Sequence, residues 1–196
     1  FVIKEGIGVT LYELLHVGLL EYVPFIILLL ALFTISGGVR LTGALVGTPI
    51  VNLAIILIGT FLASWMGTTG AAMLLIRPLI NANKHRKNIV HIIVFFIFLV
   101  ANIGGSLTPL GDPPLFLGFL KGVDFFWTTT AMFVPMLIMI IALSIIFYFL
   151  DSYYLKKEDI RVEVAQEKLK LGIEGVFNLG LIVGVIGAVL ISGFWK

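Results

Sequence analysis

Cysteine is absent from the sequence, and charged residues make up only 12% of its 196 positions. The absence of cysteine excludes disulfide bonds and thiolate metal sites. The scarcity of charge argues against a soluble globular domain, which carries about 25% charged residues. The chain is apolar instead, because 60% of its residues are hydrophobic and its mean hydropathy is +1.14. These values predict an all-α, polytopic transmembrane helical bundle.

Motifs for enzymatic chemistry are also missing. The sequence contains no H-E-x-x-H zinc motif, no G-x-S-x-G nucleophile motif and no G-x-S-G motif of a rhomboid-type protease. Its three histidines, His16, His85 and His91, are scattered without metal-ligand spacing, which favours structural or solvated roles. We therefore expect a protein that is not an enzyme and that has no nucleic-acid partner.

Long apolar runs divide the chain into membrane-crossing segments, because about 20 apolar residues cross the hydrocarbon of a bilayer. We expect three uninterrupted spans, at 17–39, 128–150 and 176–195. Residues 1–16 form a mixed, extramembrane or interfacial lead-in, and residues 151–175 form a charged connector. The chain begins at Phe1, and we expect it to be a piece of a longer protein.

Two further apolar stretches are interrupted by glycine, threonine and proline. In residues 49–80 the interruption is Gly67-Thr68-Thr69-Gly70, and the arm after it has only 10 residues, or about 15 Å of helix. An arm this short predicts a re-entrant hairpin that enters and leaves on one side. In residues 89–120 the interruption spans 101–114, A-N-I-G-G-S-L-T-P-L-G-D-P-P, which predicts a broken transmembrane helix. Such backbone is tolerated at membrane depth only inside protein or beside a wet cavity.

The distribution of basic residues supports this topology. With a re-entrant hairpin, nine basic residues lie on the side of Arg40, of loop 81–88 and of connector 151–175. Three lie on the other side, namely Lys4, Lys121 and Lys196. This excess predicts that the first side is cytoplasmic. If residues 49–66 crossed fully, an excess of basic residues on one side would remain, so that alternative stays open.

Both interruptions carry oxygen donors that suit a hard cation such as Na⁺. Their hydroxyls, amide, freed carbonyls and carboxylate make a candidate ion or substrate site of Thr68, Thr69, Asn102, Gly104, Gly105, Ser106, Thr108 and Asp112. The candidate Na⁺ ligands among them are Thr68, Thr69, Ser106 and Asp112. We expect the two interruptions to meet at mid-membrane, where a carboxylate is by default a functional residue.

Local structural roles compete with this interpretation. Asp112 could cap a helix that begins at Pro113, which is a common pairing. The two threonines could serve only to hydrogen-bond a tight turn, and Asn102 could end a helix. Gly104 and Gly105 could serve only to allow close helix packing. The sequence leaves these alternatives open.

The run 101–114 resembles the signature of the ion transporter superfamily, which includes citrate and dicarboxylate carriers, arsenite permeases and sodium:proton antiporters. Residues 67–73, G-T-T-G-A-A-M, are similar to the tip of that superfamily's hairpin. The resemblance extends over roughly residues 17–195. Residues 111–127 are similar to bacterial proteins described as sodium:proton antiporters or citrate transporters.

The resemblance implies an inverted-repeat transporter with an elevator-like movement. This chain would be the first repeat plus the first span of the second, and the missing second repeat of the same chain would complete the site. The resemblance also implies a homodimer in the lipid bilayer. It matches Thr68 and Thr69 to hairpin-tip ligands. It matches four residues to the unwound segment of a sodium site, namely Gly104, Gly105, Ser106 and Thr108.

Two departures from the superfamily pattern concern the substrate. Gly67 and Thr68 stand where dicarboxylate carriers have Ser and Asn, and Leu115 stands where many relatives have Asn. Both departures weaken the case for dicarboxylate binding. We therefore predict sodium/proton antiport, with Na⁺ and H⁺ as the transported or coupling ions and no other cofactor. A cation-coupled citrate or dicarboxylate transporter is the alternative.

Overall fold

The computed structural model describes residue 4 and residues 6–43, 45–158 and 172–194. This part of the chain forms eight α-helices: α1 Ile7–Val17, α2 Val23–Gly37, α3 Pro49–Met66, α4 Thr68–Ala82, α5 Val90–Phe96, α6 Pro113–Leu120, α7 Trp127–Lys157 and α8 Val176–Phe194. Four helical runs in the described ranges are long and apolar enough to cross a membrane. Many of their large apolar side chains are exposed, as contact with lipid requires. The prediction of an all-α polytopic membrane bundle is confirmed.

The first membrane-crossing helix is longer than the sequence predicted. Helix α1, a wider π turn at Gly18–Tyr22 and α2 form one continuous run of 31 residues. We expected a lead-in through residue 16 and a span at 17–39. Residues 7–16 contain no proline to stop a helix. The widened turn lies directly before Pro24, which has no N–H to donate to that turn.

Helices α3 and α4 form a helical hairpin whose reversal is a single residue, Gly67. Gly67 has φ +81° and ψ 150°, a conformation that is essentially restricted to glycine. Because α4 begins at once at Thr68, the second arm has 15 residues, or about 22 Å, rather than the 10 expected. The two ends of the hairpin meet, since the Gly47 N–H donates to the Ala82 carbonyl at 2.9 Å.

The broken helix changes its winding before it ends. Helix α5 continues through a π segment, Ile97–Asn102, and a 3₁₀ segment, Ile103–Leu107, and α6 begins only at Pro113. Helical structure thus persists to Leu107, inside the interruption that we expected at 101–114. A Cβ on Gly104 would lie 2.7 Å from the Thr60 carbonyl oxygen, so the absence of a side chain lets the tightened turn rest on α3. We call residues 103–112 the break segment.

Helix α7 extends well past its predicted end at residue 150. It runs for 31 residues, about 46 Å, which exceeds the roughly 30 Å of bilayer hydrocarbon. The predicted connector therefore begins as helix, and its residues 159–171 lie outside the described part of the chain. A short antiparallel ribbon, which the sequence did not predict, pairs β1 (Arg40–Thr42) with β2 (Gly172–Glu174) and links the ends of α2 and α8.

Two apolar clusters surround the hairpin. The larger one packs α3, α4 and the α5 run together, with Phe147 from α7 and Ile182 from α8. The smaller one joins Leu28 and Leu32 of α2 to Leu110 of the break segment and to the phenylalanines of α6. The hairpin is therefore the central element. The break segment packs against α3 of the hairpin and, through Leu110, against α2 and α6.

Candidate ion-binding site

The hairpin reversal and the break segment lie against each other. The Thr68 N–H donates to the Gly111 carbonyl at 3.2 Å. A Cβ added to Gly105 would lie 2.7 Å from the Thr68 methyl carbon and 2.9 Å from the Gly111 carbonyl oxygen. The start of α4 and both ends of the break segment thus meet at one place, where only a residue without a side chain fits at position 105.

Hydroxyl groups satisfy the carbonyls that the break removes from helical bonding. The buried Ser64 hydroxyl donates to the Gly104 carbonyl, and the buried Thr108 hydroxyl donates to the Ser64 carbonyl. From α7, the Thr128 and Thr129 hydroxyls donate to the Leu107 carbonyl at 3.0 and 2.6 Å. These hydroxyls supply the hydrogen bonds that lipid cannot offer to backbone carbonyls, and they hold the break segment against α3 and α7.

A cavity of about 370 Å³ lies between α2, the hairpin reversal and the break segment. Apolar side chains of α2 form one wall, and the opposite wall consists of Met66, Gly67, Thr68, Thr69, Gly70, Pro109, Leu110, Gly111, Asp112, Pro113 and Phe116. Asp112 is the one charged residue among those that line this cavity in the described part of the chain. The cavity therefore combines an apolar wall with a single carboxylate.

Asp112 occupies the N-cap position of α6, but its side chain makes no capping hydrogen bond. Positions N1 and N2 are Pro113 and Pro114, which have no N–H to donate. The next amide, that of Leu115, donates to the Asp112 carbonyl at 3.1 Å. Asp112 therefore stands at the N-cap position, as the capping interpretation expects, but its carboxylate does not cap the helix.

The other predicted site residues fall into two groups. Thr68 and Thr69 line both this cavity and a second one of about 520 Å³ beside α5, so the start of α4 separates two cavities. The remaining polar side chains bond to nearby carbonyls, since Asn102 donates to Ile97 at 2.9 Å and Ser106 donates to Ile103 at 2.8 Å. The structure thus brings Thr68, Thr69 and Asp112 together around one cavity, and Ser106 does not line it.

The oxygen donors around this cavity suit a hard cation. A carboxylate, two hydroxyls and the neighbouring backbone carbonyls are the ligand types that such ions prefer. Within the described residues, no group of three or more His, Cys, Asp or Glu side chains could hold a metal ion.

A second polar group, which the sequence analysis missed, lies at the base of the hairpin. Arg86 Nη2 lies 2.6 Å from Asp151 Oδ1, and both side chains are completely buried. His91 Nε2 lies 2.7 Å from the same oxygen. Asn52 donates to Asp151 Oδ2 at 3.0 Å and exchanges hydrogen bonds with Asn83 at 3.0 and 2.7 Å. We call these five residues the base cluster.

Glu158, at the end of α7, extends the base cluster toward solvent. Burial raises the pKa of Glu158, but hydrogen bonds from Asn88 and the nearby positive charge of Arg86 outweigh it, so the pKa lies below its usual range. Its Oε1 accepts the Asn88 amide and side-chain N–H groups at 2.6 and 2.7 Å, and its Oε2 lies 3.9 Å from Arg86 Nε. Glu158 thereby ties the loop after α4 to α7.

One sequence signal could have revealed the base cluster. Asn52 stands within the apolar residues of α3, and Asp151 directly follows the apolar run of α7. Polar residues in such segments generally pair with one another. The sequence favours a structural or solvated role for His91 and places Asp151 in the connector. No local spacing links Asp151 to His91, 60 positions away, or to Asn52, 99 positions away.

Comparison with known proteins gives one result. A family model described as "Putative citrate transport" matches residues 1–196. No curated protein and no solved structure matches the chain.

Proposed function

The chain belongs to this citrate-transport family, and we propose that it forms the cation-binding half of a secondary active transporter that exchanges Na⁺ for H⁺. The observation that carries the proposal is that Asp112, whose carboxylate makes no capping hydrogen bond, lines the same cavity as Thr68 and Thr69, where the hairpin reversal meets the break segment. Na⁺ would bind there, and the second repeat would supply the other half of the site at mid-membrane.

A second candidate function is cation-coupled transport of citrate or a similar carboxylate. The family match favours it directly. The cavity supports it less well, because its one charged residue is itself an anion and would repel a carboxylate that carried no cation. Citrate would then bind with a cation or against the second repeat. The multi-pass membrane protein that the family and the helices indicate is common to both candidates.

We extend the proposal to the setting of the site. The end of the bundle that carries loop 81–88 faces the cytoplasm of a bacterial cell, and two copies of the complete protein form a homodimer. No catalytic step is needed, since the cargo crosses unchanged. These assignments follow from the distribution of basic residues and from the superfamily resemblance.

The test uses the full-length protein in proteoliposomes loaded with a pH-sensitive dye. We expect an inward Na⁺ gradient alone to drive protons out, and Asp112→Asn to abolish that exchange. The matched control is Asp124→Asn, which removes an exposed loop carboxylate that accepts a local bond from the Phe126 N–H at 2.8 Å. We expect this control to transport like the wild type.

The outcomes separate the candidates. If protons move only after citrate is added, the protein is a carboxylate transporter and not an antiporter. Asp112 is then a subsidiary cation ligand. If the Asp112→Asn and Asp124→Asn variants transport equally well, Asp112 does not belong to the ion site. If neither Na⁺ nor citrate moves any charge or proton through the wild type, both candidates are wrong.

A further inference from the structure

We propose that the base cluster is a proton-binding site, with His91 as the residue that takes the proton, separate from the cavity that Asp112 lines. Nothing in the proposed ion site requires this cluster. It nonetheless contains a buried arginine, a buried aspartate and a nearly buried histidine at the base of the central hairpin. Its part in transport rests on the proposed function, whereas its protonation does not.

The hydrogen bonding fixes which ring nitrogen is available. The Asp151 carboxylate only accepts hydrogen bonds and already pairs with Arg86, so His91 Nε2, at 2.7 Å, must be the donor. The neutral ring therefore carries its hydrogen on Nε2. The other nitrogen, Nδ1, can take a proton without breaking the bond to Asp151, and the positive charge would strengthen that bond.

The fixed charges around His91 leave room for one more positive charge. The charged groups of the described residues that face the cluster are Arg86 from the loop after α4, and Asp151 and Glu158 from α7. Helix α3 and the residue that follows α4 contribute the neutral side-chain amides of Asn52 and Asn83. With a neutral His91 these groups carry one net negative charge, and a proton on His91 brings the cluster to zero.

The surroundings of the ring also favour a cation. The His91 ring stacks on Tyr154 of α7, with centroids 4.7 Å apart and planes 22° apart. The face of an aromatic ring attracts a positive charge. A protonated His91 would thus lie between a carboxylate and an aromatic face, while Phe147 packs against it at 6.3 Å.

Because of where the cluster lies, protonation of His91 would affect the contacts that hold the base of the hairpin. Asn52 and Met66 lie 14 residues apart on α3, about 21 Å, so the proton site and the hairpin reversal are at opposite ends of one helix. The cluster joins the base of the hairpin to α5 and α7 through Asn52, Arg86 and Asp151. Protonation of His91 would therefore alter how firmly the hairpin is held, far from the cation.

The direct test is nuclear magnetic resonance of the full-length protein labelled with ¹⁵N-histidine in nanodiscs. The His91 signals are assigned by their loss in His91→Gln. We expect Nε2 to remain protonated across the titration and Nδ1 to gain a proton as the pH falls from about 8 to 5, the range in which histidine side chains change charge. A His91 ring that stays neutral, or that carries its hydrogen on Nδ1, would overturn the proposal.

A charge variant tests the electrostatic argument without removing a buried partner. Glu158→Gln removes one of the two negative charges near the cluster but keeps a side chain of the same shape. We expect the midpoint of the His91 titration to move to lower pH, because the charged ring loses a favourable interaction. A midpoint that does not move would show that Glu158 does not share in the site and would contradict the charge balance.

Transport supplies the second readout. In proteoliposomes we expect His91→Gln to flatten the dependence of transport on pH. The matched control, His85→Gln, changes an exposed histidine of the neighbouring loop and should keep the wild-type profile. An unchanged profile in His91→Gln would remove the proton site from transport. If the wild type transports nothing, the proposed function fails, and the titration still decides whether His91 binds a proton.

Discussion

Arg86 is the side chain whose removal we expect to destabilise the fold most. In Arg86→Met the Asp151 carboxylate stays buried without its cation, and breaking a buried ion pair in this way costs about 3–5 kcal/mol. Thermal unfolding in nanodiscs should show a large fall in Tm. Lys84→Met changes an exposed residue of the same loop and should leave Tm nearly unaltered. Similar Tm values for the two variants would mean that the pair contributes little to stability.

Glu158 gives the protein an acid-sensitive contact. Because the pKa of Glu158 is lowered in the folded state, its stabilising effect is present above the unfolded value and is lost as the pH falls through the folded value. We expect Glu158→Gln to be less stable than the wild type at neutral pH and to lose less stability on acidification. Unfolding measured at several pH values checks this. Glu13→Gln, at an exposed position of α1, serves as the control.

At the scale of elements, the contact between the break segment and α3 depends on Gly104. An alanine Cβ there would lie 2.7 Å from the Thr60 carbonyl oxygen and 2.8 Å from the Ala63 Cβ, and neither backbone nor helix packing can yield cheaply. We expect Gly104→Ala to cost about 1–3 kcal/mol and to weaken Na⁺ binding by displacing the break segment. Unfolding and ²²Na⁺ binding measure the two effects.

Gly118→Ala is the matched control for that substitution. Its Cβ would meet only a Val123 methyl at 3.8 Å, an ordinary contact, so α6 should accept it with little change in stability or binding. If both alanine variants bind Na⁺ like the wild type, the close approach of the break segment to α3 is not needed for the site.

The helices were predictable from the sequence because their signals are local. The proline at position 49, the glycine at 67 and the proline pair after Asp112 each act on their own neighbours, and the helix bounds follow them. The length of α4 was missed because Thr68-Thr69-Gly70 reads as turn composition, although one glycine with positive φ completes the reversal. Local composition did not reveal how few residues the turn needs.

The two candidate sites also differ in whether local sequence signals could predict them. The proximity of Thr68 and Asp112 could be expected, since both belong to interruptions of apolar runs. The base cluster could not, because Asn52, Arg86 and Asp151 come from three distant elements. Their partnership depends on how the hairpin packs against α7. A single polar residue in an apolar segment indicates that its side chain has a polar partner, but the sequence does not identify that partner.

At the scale of the whole molecule, three sets of polar contacts mark one end of the bundle, which we call the polar end. Residues 40–42 pair with 172–174, the Gly47 N–H bonds to Ala82, and Arg86 pairs with Asp151. The start of α7, Trp127, lies 24 residues before Asp151, or about 36 Å along the helix, next to the loop that contains Lys121. Because about 30 Å of hydrocarbon separates the two surfaces, the two ends should face opposite compartments.

This separation can be tested with single cysteines, since the chain has none of its own. In full-length protein without other reactive cysteines, Lys84→Cys and Lys157→Cys should react with a membrane-impermeant maleimide only in inside-out vesicles. Lys121→Cys should react only from the outside of intact cells. If Lys84→Cys and Lys157→Cys react from different sides, the hairpin does not return to its starting surface, because both flank the contact between Arg86 and Asp151. If all three react from the sides opposite to these, the arrangement of the helices stands and the cytoplasmic assignment of the polar end is reversed.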